Sequence, residues 1–200
     1  MKKLFTSIVA LFVCICTSAE DKVSEYTMSF FDGNTYDVEA TKVKNGEFTY
    51  YIYCESKDKH EKVGFSLESS EISYFVEQLR SIEGKFEEWS KTAEDNNVTD
   101  FDKQFETKFK SVGTFWLYGS KWCFSTVKFK PYFKVTDSGK TLAIINVGKM
   151  TASANRYMTS NGFLIVFSTV EEIEDFIKAI DPSHAINKTQ EQKDKGDLFN

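Results

Sequence analysis

Proline, histidine and cysteine are scarce in this chain of 200 residues, which holds 2, 2 and 4 of them. Two prolines and 10 glycines exclude collagen-like and low-complexity architectures. Four cysteines are too few for a disulfide-dense scaffold. The two histidines, His60 and His184, fall in charged stretches, and no His-Glu-x-x-His helix exists for a zinc protease. Gly-x-Ser-x-Gly, a glycine-rich phosphate loop and Cys-x-x-Cys are absent as well. No catalytic residue, metal ligand or cofactor site is therefore assigned. Leucine is also sparse, eight residues against 19 phenylalanines, a balance that leans away from a helical bundle and toward sheet.

What is present begins with an address. Met1-Lys2-Lys3 is a basic start, Leu4 to Cys16 is nearly all apolar, and Thr17-Ser18-Ala19 offers small residues for a peptidase. This is the layout of a secretory signal peptide, cleaved near Ala19. The apolar run is shorter than the roughly 20 residues a membrane-spanning helix needs. No later segment approaches that length, so a secreted or periplasmic chain with no transmembrane segment is expected. Removing the leader leaves 23 basic and 30 acidic residues, a net charge of −7. Such a chain is poorly suited to gripping phosphate backbones, which makes nucleic acid a disfavoured partner. Cys54 and Cys123 remain. Outside the cytoplasm they could form a disulfide, and the spacing fits two buried thiols equally well.

The hydrophobic pattern predicts an α+β fold. Residues 23–67 read as four strands, with Asp32-Gly33-Asn34 and Asn45-Gly46 as turns and Phe48 to Cys54 as a well-buried strand. A long helix follows. Ser69 or Ser70 is its N-cap, and Ile72, Phe75, Leu79, Ile82, Phe86, Trp89 and Ala93 form one stripe. Residues 98–112 read as a connector. Strands resume at 114–118, 122–135, 141–147 and 162–168, with 149–160 polar and irregular. Thr169 to Glu172 then forms a capping box for a second amphipathic helix, ended by Pro182. Residues 182–200 read as a flexible tail.

The two halves thus share an order, four strands and then one helix. Phe65-Ser66 precedes Glu71-Ile72 and Phe75-Val76 much as Phe167-Ser168 precedes Glu172-Ile173 and Phe176-Ile177. This internal repeat predicts two β4α units, 20–97 and 113–181, packed as a pseudo-two-fold domain, because one helix covers only part of a four-stranded sheet. The element order resembles the paired β4α units of the PC4 and Whirly-like single-stranded nucleic-acid binders and of the Pur repeats. That resemblance implies a curved sheet as the binding surface, and it carries no binding residue onto this chain.

Two features suggest binding. On a strand, Lys128, Lys130, Tyr132 and Lys134 would share one face, with Phe129, Pro131 and Phe133 behind them. Such a basic, aromatic-edged strip suits an anionic ligand such as an acidic glycan or nucleic acid, while lysines on an edge strand also serve simply to discourage pairing. The long helix carries a heptad-like stripe that allows a protein partner or a homodimer. Its outer aromatics Phe86 and Trp89 would otherwise cover the connector phenylalanines of the same chain. The expected function is non-catalytic binding of an unknown ligand. The alternatives are single-stranded nucleic-acid binding and a hydrolase whose acids are assembled by folding.

Overall fold

Strand pairing follows the turn chemistry. The computed structural model describes residues 21–43, 46–58 and 62–197; residues 1–19, expected to be a signal peptide, and Asn45 and His60 lie outside the described residues. β1 (Asp21–Met28) runs through a single 3-10 turn, Ser29–Phe31, into β2 (Asn34–Lys42). The reversal is made by Asp32 and Gly33, both at positive φ. β2 pairs with β3 (Phe48–Tyr53) across a hairpin that Val43 N–H closes onto Glu47 O at 2.8 Å. β4 (Glu55–Ser56) and β5 (Val63–Glu68) lead to α1 (Ser69–Asp95). The α1 cap is Glu68, in a capping box with Glu71, and not one of the two serines expected. Ser69 bonds instead to both the N–H and the carbonyl of Phe48, tying the helix start to β3.

The second half contains β6 (Phe101–Gln104), β7 (Ser111–Tyr118), β8 (Lys121–Lys128), β9 (Tyr132–Val135) and β10 (Thr141–Asn146). β11 (Met150–Ala152), β12 (Asn155–Ser160), β13 (Phe163–Phe167), α2 (Val170–Ala179) and α3 (Ser183–Asp197) follow. The fold is mixed α+β, and its strand pairs are antiparallel. No helix of the described residues is long and apolar enough to cross a membrane.

The strands do not sort into two four-stranded sheets. A six-stranded sheet has the order β1-β2-β3-β5-β7-β8, and a five-stranded sheet the order β4-β13-β10-β9-β6. β7 and β8 thus complete the sheet begun by the first half, and β4 of the first half edges the sheet of the second. The reason is packing. α1 lies between the sheets, touching β3 and β5 on one side and β10 on the other, so strands extend each sheet sideways rather than form a separate unit. Phe65 of β5 is a hub of the shared core. Its ring meets Phe75 of α1 at 5.4 Å, Phe129 at 5.1 Å and Phe163 of β13 at 6.2 Å. Trp89 stacks on Phe105 at 5.1 Å and Phe75 meets Phe109 at 5.0 Å, so the long helix does cover the phenylalanines that follow it.

Three stretches differ from expectation. Part of the connector is strand: β6 pairs with β9. Residues 150–160 form the hairpin β11–β12. The expected tail is helical through Asp197, because Asp181-Pro182, read as a stop, is also a start. Asp181 accepts a hydrogen bond from Ser183 N–H at 2.8 Å, and Tyr50 donates to Pro182 O at 3.2 Å. Ala185 of α3 is buried.

Candidate functional site

The lysine strip is divided between the two sheets. β8 ends at Lys128, and Pro131, which has no N–H for a ladder, sits where the chain crosses to β9. Phe129, Pro131 and Phe133 are buried as their alternation implied. Lys128 stays with the six-stranded sheet, Lys130 is exposed at the crossing, and Tyr132 and Lys134 lie half-buried on β9, where Lys134 pairs with Asp102 at 3.4 Å. The four residues therefore do not share one strand face, as the continuous strand expected from the sequence would have had them do.

Cys54 and Cys123 are both free and buried. They occupy one row of the six-stranded sheet, through Val63 and Trp116, but β5 and β7 separate them. Three strand spacings amount to about 14 Å, far beyond disulfide reach. Burial pushes both thiols up, which removes nucleophilic character. His184, in the first turn of α3, has its ring at the end of α2, with Nε2 3.0 Å from Lys178 O. Among the described carboxylates with a resolved shift, Glu171 and Asp181 are both held low. The backbone N–H groups of Glu171 itself and of Ser183 are the main causes. Among the described residues no cluster of three or more His, Cys, Asp or Glu could hold a metal ion.

The surface that stands out is the outer face of the six-stranded sheet, opposite the helices. On β8 the residues of that face are Trp122, Phe124, Thr126 and Lys128. Their alternates, Cys123 and Val127, point inward. Phe115 of β7 lies beside Phe124 in the ladder and is only 2% exposed, although no helix of the described residues covers it. Its cover is aromatic. Tyr51 at 5.6 Å, Tyr53 at 5.2 Å and Trp122 at 5.8 Å all meet it edge to face. Below it, Gly64 of β5 leaves the room the ring occupies. A Cβ there would lie 2.9 Å from Phe115 Cζ and 2.0 Å from Ile52 O.

On this base Trp122 and Phe124 stand 41% and 56% exposed. Two residues of strand set them about 7 Å apart. Lys62 Nζ lies 5.2 Å from the Tyr53 ring centroid at one end of the platform, and Lys128 is exposed on the same face at the other. Tyr53 Oη donates to Glu39 Oε2 at 2.8 Å, which fixes the tyrosine and engages that carboxylate. Beyond β8 the β11–β12 hairpin continues the surface, with Ser153 N–H donating to Phe124 O at 2.9 Å and Tyr157 78% exposed.

Sequence reasoning found Lys128 of this surface and missed its aromatic part. The signal was there: in Lys121 to Lys128 apolar residues occupy both parities, so the strand shows hydrophobic side chains on two faces while lying at an edge. Comparison with models of known protein families, with curated proteins and with solved structures finds no match.

Proposed function

We propose that this chain is a non-catalytic binding protein acting outside the cytoplasm, and that the open face of its six-stranded sheet holds a glycan bearing acidic groups. The observation that carries the reading is the pair Trp122 and Phe124, exposed on one strand face over the rigid Phe115 base. A sugar ring presents a flat C–H face that stacks on an aromatic ring, and its rim of hydroxyls needs polar neighbours. Thr126 and Ser66 are such neighbours on the same face. Lys62 and Lys128, with no ion pair to either among the described residues, suit a carboxylate or sulfate on the ligand. The localisation rests on the leader-like residues 1–19. The two strand-to-helix junctions, each with a capping glutamate, fit an ancestral duplication whose strands have since exchanged sheets.

Calorimetric titration of the purified chain with a uronate oligosaccharide, a neutral glucan and an oligothymidylate tests this reading. The expected order is uronate over neutral glucan over oligothymidylate. Trp122→Ala should weaken the uronate about tenfold, a loss of about 1.4 kcal/mol, and Lys128→Gln should weaken it less while flattening its salt dependence. Tighter, strongly salt-dependent binding of the oligothymidylate would replace the glycan reading with the nucleic-acid one.

A further inference from the structure

A second site, independent of the sheet face, lies where α1 meets β6. The ring of Trp89 and the ammonium of Lys103 form a pair, Nζ 4.2 Å from the ring centroid. This pair is a wall shared by two hollows. On one side is a groove of about 320 Å³ whose remaining walls include Ala93, Val98, Phe101 and Phe133. On the other is a polar hollow of about 510 Å³ reached by Ser81, Gln104 and Thr107. Both volumes lie within the range of small-molecule sites.

The ladder explains the placement. Phe101 and Lys103 are two apart on β6 and opposite Val135 and Phe133 of β9, so both face the helix side. Asp102 lies on the other face and pairs there with Lys134 at 3.4 Å. Glu88 of the helix borders the polar hollow and is engaged by Lys85 at 2.6 Å. Lys103 has no ion-pair partner among the described residues, and the indole holds it at the rim. Phe101 is 45% exposed on the apolar side. Glu106 also borders the polar hollow and, with no ion-pair partner among the described residues, is the carboxylate there that opposes an anion.

We infer that this double hollow binds an amphipathic carboxylate, its hydrocarbon chain in the groove against Phe101 and Val98 and its head group on Lys103. An apolar trough with a cation at its edge is complementary to that ligand class in both shape and charge. A neutral amphiphile lacks the ionic contact, and a cationic one is repelled.

Decanoate and decanol, titrated into the full-length chain by calorimetry below their aggregation limits, separate the parts of the claim. Expected are saturable one-to-one binding of decanoate and at least tenfold weaker binding of decanol. Lys103→Gln should erase that difference while leaving decanol unchanged. Phe101→Ser should weaken both, and Glu106→Gln should tighten decanoate alone. A change in tryptophan emission on adding decanoate, lost in Trp89→Phe, locates the ligand. Each variant's urea midpoint confirms that it is folded. Absence of saturable decanoate binding, or equal decanoate affinity in wild type and Lys103→Gln, overturns the inference. Both results are independent of the glycan titration.

Discussion

Each of the two sheets has an apolar outer face, and the chain treats them differently. On the five-stranded sheet Leu142, Ile144 and Val166 form a separate small cluster, and Phe31, Tyr132 and Leu164 pack against it. Phe31 comes from the 3-10 turn between β1 and β2, so a piece of the other sheet's connection closes this face. On the six-stranded sheet nothing comparable arrives from the described residues. Tyr51, Tyr53 and Trp122 bury Phe115 among themselves, and Trp122 and Phe124 are left toward solvent. The same chain that spends a turn on covering three aliphatic residues leaves two large aromatics uncovered. Aliphatic surface left open invites nonspecific association, whereas a framed aromatic platform offers directional contacts, and this contrast supports the binding reading of the second face.

The contrast can be broken experimentally. Phe115→Ala removes the base of the platform and a nearly fully buried ring, and should destabilise by about 3 kcal/mol. Urea unfolding measures it, and a cost under about 1 kcal/mol would mean the platform is not rigid. Phe31→Ser uncovers the aliphatic cluster of the other sheet. A smaller loss of about 1–2 kcal/mol is expected because Phe31 is itself only half-buried, together with dye binding or self-association by light scattering. Trp122→Ser should cost about 1 kcal/mol, the edge-to-face contact with Phe115 that it removes, and should lower self-association if it changes it at all. A large stability loss would place Trp122 in the core rather than in a site.

The smallest effect concerns the helix that seals the inner face near Phe48. Asp181 is held below its ordinary value of 3.8 by the Ser183 N–H it accepts from. A lowered carboxyl pKa stabilises the fold above that ordinary value, and the contribution fades as pH falls through the lower, folded-state value. Asp181→Asn should therefore trim stability by a few tenths of a kcal/mol at neutral pH, since the group is largely exposed, and should abolish that part of the acid dependence. Far-ultraviolet circular dichroism between pH 5 and pH 2 would show the difference as loss of helix.

What could be read in advance follows from how local each signal is. The α1 stripe, the Thr169 cap and the buried strand beginning at Phe48 are short-range patterns, and the structure carries them as expected; the alternation read over 26–30 holds only to Met28, because Ser29 to Phe31 turn off into a 3-10 helix that leaves Phe30 exposed. Sheet membership is different. Whether β7 pairs with β5 or with β10 depends on which edge is open after α1 has docked, and no residue of Ser111–Tyr118 encodes that choice by itself. The strip at 128–134 shows the limit. Its parity was right and Phe129 and Phe133 are buried, but the crossing at Pro131 sends Lys128 and Lys134 to different sheets. The platform needed three strands, β3, β7 and β8, brought side by side across Gly64. The Trp89–Lys103 pair needed α1 laid against β6. Neither juxtaposition has a footprint in a window of ten residues.

The exchange of strands has a consequence for how the molecule comes into being. During synthesis from the amino end, β1, β2, β3 and β5 emerge first with the long helix, yet the sheet they begin ends only at Lys128, and β4 waits for Phe163 and Leu164. Until then the unfinished border at β5 is a raw hydrogen-bonding ribbon flanked by phenylalanines. A chain built in this way gains from staying unfolded until translation is finished.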